Sequence, residues 1–245
     1  MGMNLWGKAS LVTGASRGIG AATAVKLAEL GSDVVVNYRS KAARALDVAA
    51  QIEALGVRVI QAQADITNSD ELAAMFAETR RRLNRLDFLI LNASGGMEKD
   101  KPEEYAMSLN LDAQMAVTKG AIDLMPPGSR IVFVTSRWAH FYGLKPVMAG
   151  YEAVAKSKRA GEDALRNYAG ELTTRGISLV VVSGDLIDGT ITPKLLQRQA
   201  PGIIEARRRE VGGLPSVDQF AAAIVEAALD DSLPTGHTVF IGSTD

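Results

Sequence analysis

Tyr151 and Lys158 stand seven residues apart in the run Tyr151-Glu152-Ala153-Val154-Ala155-Lys156-Ser157-Lys158. A phenol with an ammonium nearby can donate a proton to an oxygen that is becoming anionic, which is what delivery of hydride to a carbonyl or a conjugated alkene requires. A free phenol has a pKa of about 10, and a neighbouring positive charge lowers it by favouring the ionised form. On a helix that turns about 100° and rises about 1.5 Å per residue, an i, i+7 pair differs by about 20° around the axis and about 10 Å along it, so these two side chains share a face. Lys156 stands about 140° from Tyr151 and reads as a solvated neighbour. Tyr142, upstream, reads first as a loop aromatic that packs on Trp138 or Phe141, and Arg137 and His140 of the same loop could meet a substrate carboxylate or phosphate.

A second group of residues suits a phosphate. Thr13-Gly14-Ala15-Ser16-Arg17-Gly18-Ile19-Gly20 follows an apolar run and opens directly into a helical pattern. Glycines at such a turn let the backbone approach a pyrophosphate, while the free amides of the helix N-terminus present the positive end of its dipole. The spacing is G-x-x-x-G-x-G. After the second apolar run, in Val36-Asn37-Tyr38-Arg39-Ser40, the acid that would bond the ribose of NAD is missing and Arg39 stands in its place. A guanidinium there, with Arg17 close enough to help, can pair with a 2′-phosphate, which favours NADPH over NADH.

The elements that must position these residues follow from periodicity. Short apolar runs near 9–12, 33–37, 57–61, 86–91, 130–135, 177–182 and 237–241 alternate with helical patterns near 17–30, 41–55, 69–84, 102–125, 151–175 and 216–229. Seven strands fed by crossover helices form a parallel sheet with helices on both faces, the doubly wound α/β arrangement. A single domain over residues 1–245 is expected, with no linker or repeat. The segment 189–213, with Pro193, Pro201 and Arg207-Arg208-Arg209-Glu210, breaks the rhythm; it reads either as an irregular lid over the carboxyl ends of the strands or as a solvated surface helix.

Composition removes other classes. The net charge is −1, which gives no field for a polyanion, so nucleic acid is not an expected partner. With no cysteine and only His140 and His237, a metal centre is not expected either. No run approaches about 18 apolar residues, and the first seven residues are too short and polar for a signal peptide, so a soluble cytoplasmic protein without membrane attachment is expected.

The T-G-x-x-x-G-I-G turn after an N-terminal strand resembles the signature of the short-chain dehydrogenase/reductase superfamily, and the resemblance runs along nearly the whole chain. It implies a Rossmann fold and an NAD(P)H-dependent oxidoreductase. By the same resemblance Gly14, Ser16, Arg17, Gly18, Ile19 and Gly20 hold the pyrophosphate, Asp65 and Ile66 meet the adenine, and Asn92 lines the adenosine ribose. Thr190 stands where the superfamily contacts the nicotinamide carboxamide. Ser136, at the end of the fifth strand, Tyr151 and Lys158 match the catalytic Ser, Tyr and Lys, and Asn110 matches the helix Asn that holds a water in the proton relay. Lys158 also touches the nicotinamide ribose in that pattern. Val154 stands where the common Y-x-x-x-K spacing has its Tyr, and the Y-x6-K spacing is similar to the enoyl-acyl carrier protein reductases. Asn92-Ala93-Ser94-Gly95 and Ser183-Gly184 agree with that branch, in which a second upstream Tyr is common; the longer Ser136 to Tyr151 interval does not. The implied reaction is hydride transfer to an enoyl or carbonyl substrate, an acyl thioester among the candidates, with an ordinary ketoreductase and a non-catalytic NADP-binding sensor as alternatives. The helices near 102–125 and 151–175, with Ala155, Ala160 and Gly161, imply a homotetramer or homodimer.

Overall fold

A computed structural model describes residues 4–98, 101–102 and 104–244. Residues 1–3 at the start of the expected domain, and residue 103 of the expected 102–125 helix, lie outside the described residues. Seven strands form one wholly parallel sheet in the order β3-β2-β1-β4-β5-β6-β7. They are β1 (Ala9–Val12), β2 (Asp33–Tyr38), β3 (Val59–Gln63), β4 (Phe88–Leu91), β5 (Arg130–Ser136), β6 (Ser178–Gly184) and β7 (His237–Ile241). The helices are α1 (Gly18–Glu29), α2 (Ala42–Glu53), α3 (Ser69–Arg82), α4 (Tyr105–Met107), α5 (Ala113–Ala121), α6 (Arg137–His140), α7 (Glu152–Thr174), α8 (Ile191–Gln199), α9 (Ile203–Val211) and α10 (Val217–Leu229).

Central strands are buried on both faces, and this is why Leu11-Val12, Leu89-Ile90 and Ile131-Val132-Phe133-Val134 read as continuous apolar runs rather than alternating ones. One face packs Leu11, Leu89, Ile131 and Phe133 against α3, α5 and α7; the other packs Val12, Ile90, Val132 and Val134 against α1, α2 and α10. Helix ends are set by local chemistry. The Asn68 side chain accepts from the amides of Asp70 and Glu71 at the start of α3, and Ser216 with Gln219 makes a reciprocal capping box on α10.

Two expectations about elements need correction. The helix expected over 102–125 is broken: α4 is one turn, a π turn spans Ser108–Asp112, α5 follows, and a 3-10 turn closes at Ile122–Leu124. The 189–213 segment is not irregular, since it carries α8 and α9. Pro193 falls in the first turn of α8, where backbone N–H groups have no intrahelical acceptor, so it does not break the helix. Among the described residues no helix is long and apolar enough to cross a membrane.

Candidate functional site

Beyond the carboxyl end of β1 the chain turns at Gly14 with φ +65° and at Gly18 with φ +56°, conformations that favour glycine. A Cβ on Gly20 would come within 2.6 Å of the Gly14 carbonyl oxygen, so that residue must be glycine for the first turn of α1 to lie against the loop. Arg17 precedes the helix in extended conformation and offers no side-chain cap, which leaves the N-terminal amides of this 12-residue helix uncapped beside the turn. Asn92 fixes the turn from β4. Its Nδ2 donates to the Thr13 carbonyl at 2.9 Å, and its own amide donates to Thr13 Oγ1 at 3.0 Å. Asn37, which sequence reasoning passed over, braces the other side: it is buried, donates to the carbonyls of Ala62 and Ala64, and its carbonyl accepts from the Ala15 amide at 2.8 Å. These contacts make a rigid concave backbone whose close approaches suit a pyrophosphate.

At the far end of this cradle Arg39 leaves β2, and its Nη1 donates to the Tyr105 hydroxyl. Its guanidinium and the Lys101 ammonium lie 5.7 and 5.0 Å from the Tyr105 ring centroid. Burial raises the Tyr105 phenol above its ordinary value, against the pull of Arg39. Asp65 is drawn inward: its Oδ1 accepts from the Thr67 amide at 3.0 Å and hydroxyl at 2.7 Å, so the carboxylate serves its own loop, while Ile66 is buried in the core. Arg17 is exposed. Thr190 precedes α8 without capping it: its hydroxyl donates back to the Ile187 carbonyl at 2.8 Å.

The chemical end of the site gathers at the carboxyl edges of β5 and β6. Ser136 ends β5 and starts α6, and Tyr151 immediately precedes α7, which places its phenol beside Ser136. Both are buried. Burial raises the Tyr151 phenol above its ordinary value, and the Ser136 bond opposes it. The lowering by Lys158 expected from the sequence is therefore not the dominant influence, in keeping with the about 10 Å that seven helical residues interpose. Lys158 is buried one face along the same helix; loss of hydration pulls it down from 10.5 to about 8, and the nearby charge of Glu162 opposes that fall. Asn110 sits in the π turn, where its Nδ2 donates to the Gly95 carbonyl at 2.8 Å and to Ser157 Oγ at 2.9 Å. The π turn carries the Asn110 carbonyl so close to α7 that a Cβ on Gly161 would collide with it. The fold thus brings Ser136 and Tyr151 into contact and ties Asn110 to the Lys158 helix through Ser157. Val154, in the place of the common Tyr, is buried among apolar side chains.

Around Tyr151 lies an apolar shell of Trp138, Val154, Leu186, Leu196 and Ile204, joined by Met97, Tyr142, Met148 and Leu214. Trp138 meets Tyr151 edge-on, with ring centroids 5.8 Å apart, and Tyr142 belongs to the same cluster, packed as a loop aromatic. Helix α9 closes over this shell. Arg207 is not a solvated residue: it is buried, its Nη2 lies 2.5 Å from Asp185 Oδ2 just after β6, and its guanidinium lies 5.8 Å from the Trp138 ring centroid. Arg208 makes a more exposed pair with Asp188 at 2.7 Å, and Arg209 is exposed.

Residues 8–200 match the family model for short chain dehydrogenases. The chain belongs to the short-chain dehydrogenase family. Among curated relatives it is 34% identical over 206 residues to a hydroxynaphthalene reductase of Aspergillus fumigatus, covering 81% of this chain and 73% of the relative. It is 34% identical over 185 residues to a 1-cyclohexenylcarbonyl-CoA reductase of Streptomyces collinus, covering 73% of this chain and 64% of the relative. Among solved structures a short-chain dehydrogenase of Burkholderia cenocepacia in complex with NADP superposes with a TM-score of 0.85 at 30% identity, covering 97% of each chain. This short-chain dehydrogenase is accordingly an NAD(P)H-dependent oxidoreductase with a small-molecule substrate, and its sheet is the family's Rossmann arrangement.

Proposed function

We propose that this protein is an NADPH-dependent reductase of a carbonyl group on an apolar, ring-containing substrate. The observation that carries this reading is the buried Tyr151 phenol beside Ser136, set in an apolar shell of Trp138, Val154, Leu186, Leu196 and Ile204. The glycine cradle with its uncapped helix N-terminus fits a dinucleotide pyrophosphate, and Arg39, with Lys101 beside it, fits a 2′-phosphate. When bound, the nicotinamide supplies the hydride. Tyr151 donates its proton to the substrate oxygen as negative charge develops there, and Ser136 orients the phenol and shares that oxygen. Lys158 presents positive charge behind Tyr151 and to the nicotinamide ribose, while Asn110 braces the helix that carries it. The Asp185–Arg207 and Asp188–Arg208 pairs hold α8 and α9 as a lid that excludes water. The named activities of the fungal and streptomycete relatives, on a hydroxynaphthalene and a cyclohexenyl thioester, support a cyclic substrate. The wider seven-residue Tyr to Lys spacing and the second relative favour one alternative, reduction of an enoyl thioester. A homodimer or homotetramer is the proposed assembly.

NADPH oxidation measured with a panel of cyclic ketones, linear ketones and enoyl thioesters tests these readings. Turnover of cyclic ketones is expected; turnover of enoyl thioesters alone would transfer the assignment to the alternative. In titration calorimetry NADPH should bind more tightly than NADH, and Arg39→Ala should remove the difference. Unchanged NADPH affinity in that variant would remove Arg39 from the phosphate site.

A further inference from the structure

Glu162 is fully buried, yet it bears a charge that the reaction scheme above does not use. It lies one turn beyond Lys158 on α7, and side chains four residues apart share a helix face. Its Oε1 stands 2.8 Å from His140 Nδ1 and 2.8 Å from Arg166 Nη2. Its Oε2 is also buried and has no hydrogen-bond partner among the described residues, and His140 Nδ1 lies near Oε1 by distance without completing a hydrogen bond, so Arg166 is the neighbour that bonds the carboxylate. Both neighbours are themselves anchored. The His140 ring is flanked edge-on by Phe141 and Phe240 with centroids 4.9 and 5.1 Å away, and its carbonyl accepts from Arg159 Nη1 at 2.6 Å. Arg166 reaches β7, donating to the Gly236 carbonyl and to Thr238 Oγ1 at 2.7 Å. Glu162 therefore joins three elements: α6, whose first residue follows Ser136; α7, which carries Lys158; and β7.

The electrostatics agree with that placement. Burial alone would push the Glu162 carboxyl up, but His140 and Arg166 outweigh it and hold the carboxyl below its ordinary value, so it is ionised at neutral pH. The charged and titratable groups facing it are His140 from α6 and Lys158 and Arg166 from α7; β7 presents Thr238 and Phe240, which carry no charge. Arg159 is directed to Asp163 and the His140 carbonyl.

We propose that Glu162 is a positioning residue of the reductase site: bonded by Arg166 and with His140 beside it, its buried carboxylate, one helical turn from Lys158, keeps that buried side chain protonated. This rests on the reading of Lys158 as the lysine of that site. Within it, Glu162 determines the alkaline limit of the reaction. Ammonium is the working form, so wild-type activity and NADPH affinity should both fall as pH rises through the Lys158 value of about 8. Without the carboxylate the lysine loses its proton earlier.

The test compares wild type, Glu162→Gln and Glu162→Asp from pH 6 to pH 10, reading kcat/KM and, separately, NADPH affinity from quenching of tryptophan fluorescence. The expected result is a downward displacement of the alkaline limb by about one pH unit in Glu162→Gln, in both readouts, with most of it recovered in Glu162→Asp. Should Glu162→Gln not fold, as judged by circular dichroism, Glu162→Met gives the same comparison, since buried charged groups are often replaceable by apolar ones of similar shape. An alkaline limb that stays in place in the neutral variant, with activity lowered evenly at every pH, would make Glu162 a purely structural residue and overturn the proposal. A wild-type protein inactive toward every substrate but with a movable NADPH-binding limb would instead retain the Glu162 role and remove the reductase reading.

Discussion

Tyr151, the proposed proton donor, is a neutral phenol at neutral pH. Burial raises its pKa, so the proton that a reductase would donate stays in place well above neutral pH. Tyr151→Phe removes only the hydroxyl; turnover should fall by about 10²–10⁴-fold while NADPH affinity, read by titration calorimetry, stays close to wild type. Tyr142→Phe should leave turnover largely intact, and the reverse pattern would transfer the donor role to Tyr142. Lys158 has the opposite problem, a charge held where hydration is lost. Its folded-state value of about 8 lies below the 10.5 of an unburied lysine, so between these values the unfolded chain binds the proton more tightly and stability gained from this group rises with pH. Below pH 8 the ammonium is carried at a cost. Lys158→Met should therefore abolish turnover and weaken NADPH binding yet raise the stability of the cofactor-free protein at pH 7 by on the order of 1–3 kcal/mol, seen as a higher Tm. A lower Tm would mean that the pairing with Glu162 outweighs the lost hydration. Ser136, Tyr151 and Lys158 could be singled out in the sequence because the resemblance to the superfamily pattern marks them and they fall at a strand end and along one helix. Asn37, Tyr105 and Glu162 could not: Asn37 acts on carbonyls 25 and 27 residues away, Tyr105 on Arg39 66 residues away, and Glu162 reads as an ordinary helix carboxylate until His140 is brought against it.

Helix boundaries were legible wherever caps and periodicity agreed, as in α3 and α10. They failed where a π turn interrupts the helix before α5, because inserting one extra residue per turn leaves the apolar pattern nearly unchanged while redirecting the side chains that follow. They failed again over α8 and α9, where two prolines suggested a loop although Pro193 occupies a first turn and the second, Pro201, falls between the helices. The π turn and α7 depend on one another through Gly161. Gly161→Ala should push the Asn110 carbonyl away from α7, costing about 1–3 kcal/mol of stability by the usual measure of overpacking. Because Asn110 also bonds Ser157 on the Lys158 helix, the same change should lower kcat more than it raises KM for NADPH. A thermal melt and steady-state kinetics check both, and a variant as stable and active as wild type would show that the two helices can separate without harm. Small residues on α7 were expected to face a second subunit, but Ala155 and Gly161 are buried within their own chain, so they do not supply the contact.

At the scale of the whole molecule, an apolar groove lined by Leu72, Phe76, Ala113 and Ala116 runs between α3 and α5. Sedimentation at micromolar concentration should show a dimer or tetramer, and a monomer there would remove the oligomer from the description of the protein. The general architecture was legible from the alternation of apolar and amphipathic runs, since parallel strands joined by helices leave few topologies open. The strand order has another meaning for this chain. Everything up to Arg82 builds the β3-β2-β1 side of the sheet and everything from Phe88 the β4-β5-β6-β7 side, with the exposed connection passing through Asn84 at φ +55°. The two sides join at the β1–β4 ladder, and there Asn92 of the second side shapes the glycine turn of the first. A backbone break after Asn84 would thus divide the dinucleotide cradle between two fragments, neither of which contains a complete one. Reassembly of the pieces would be needed before either could hold a nucleotide, so that cofactor affinity would measure complementation between the halves.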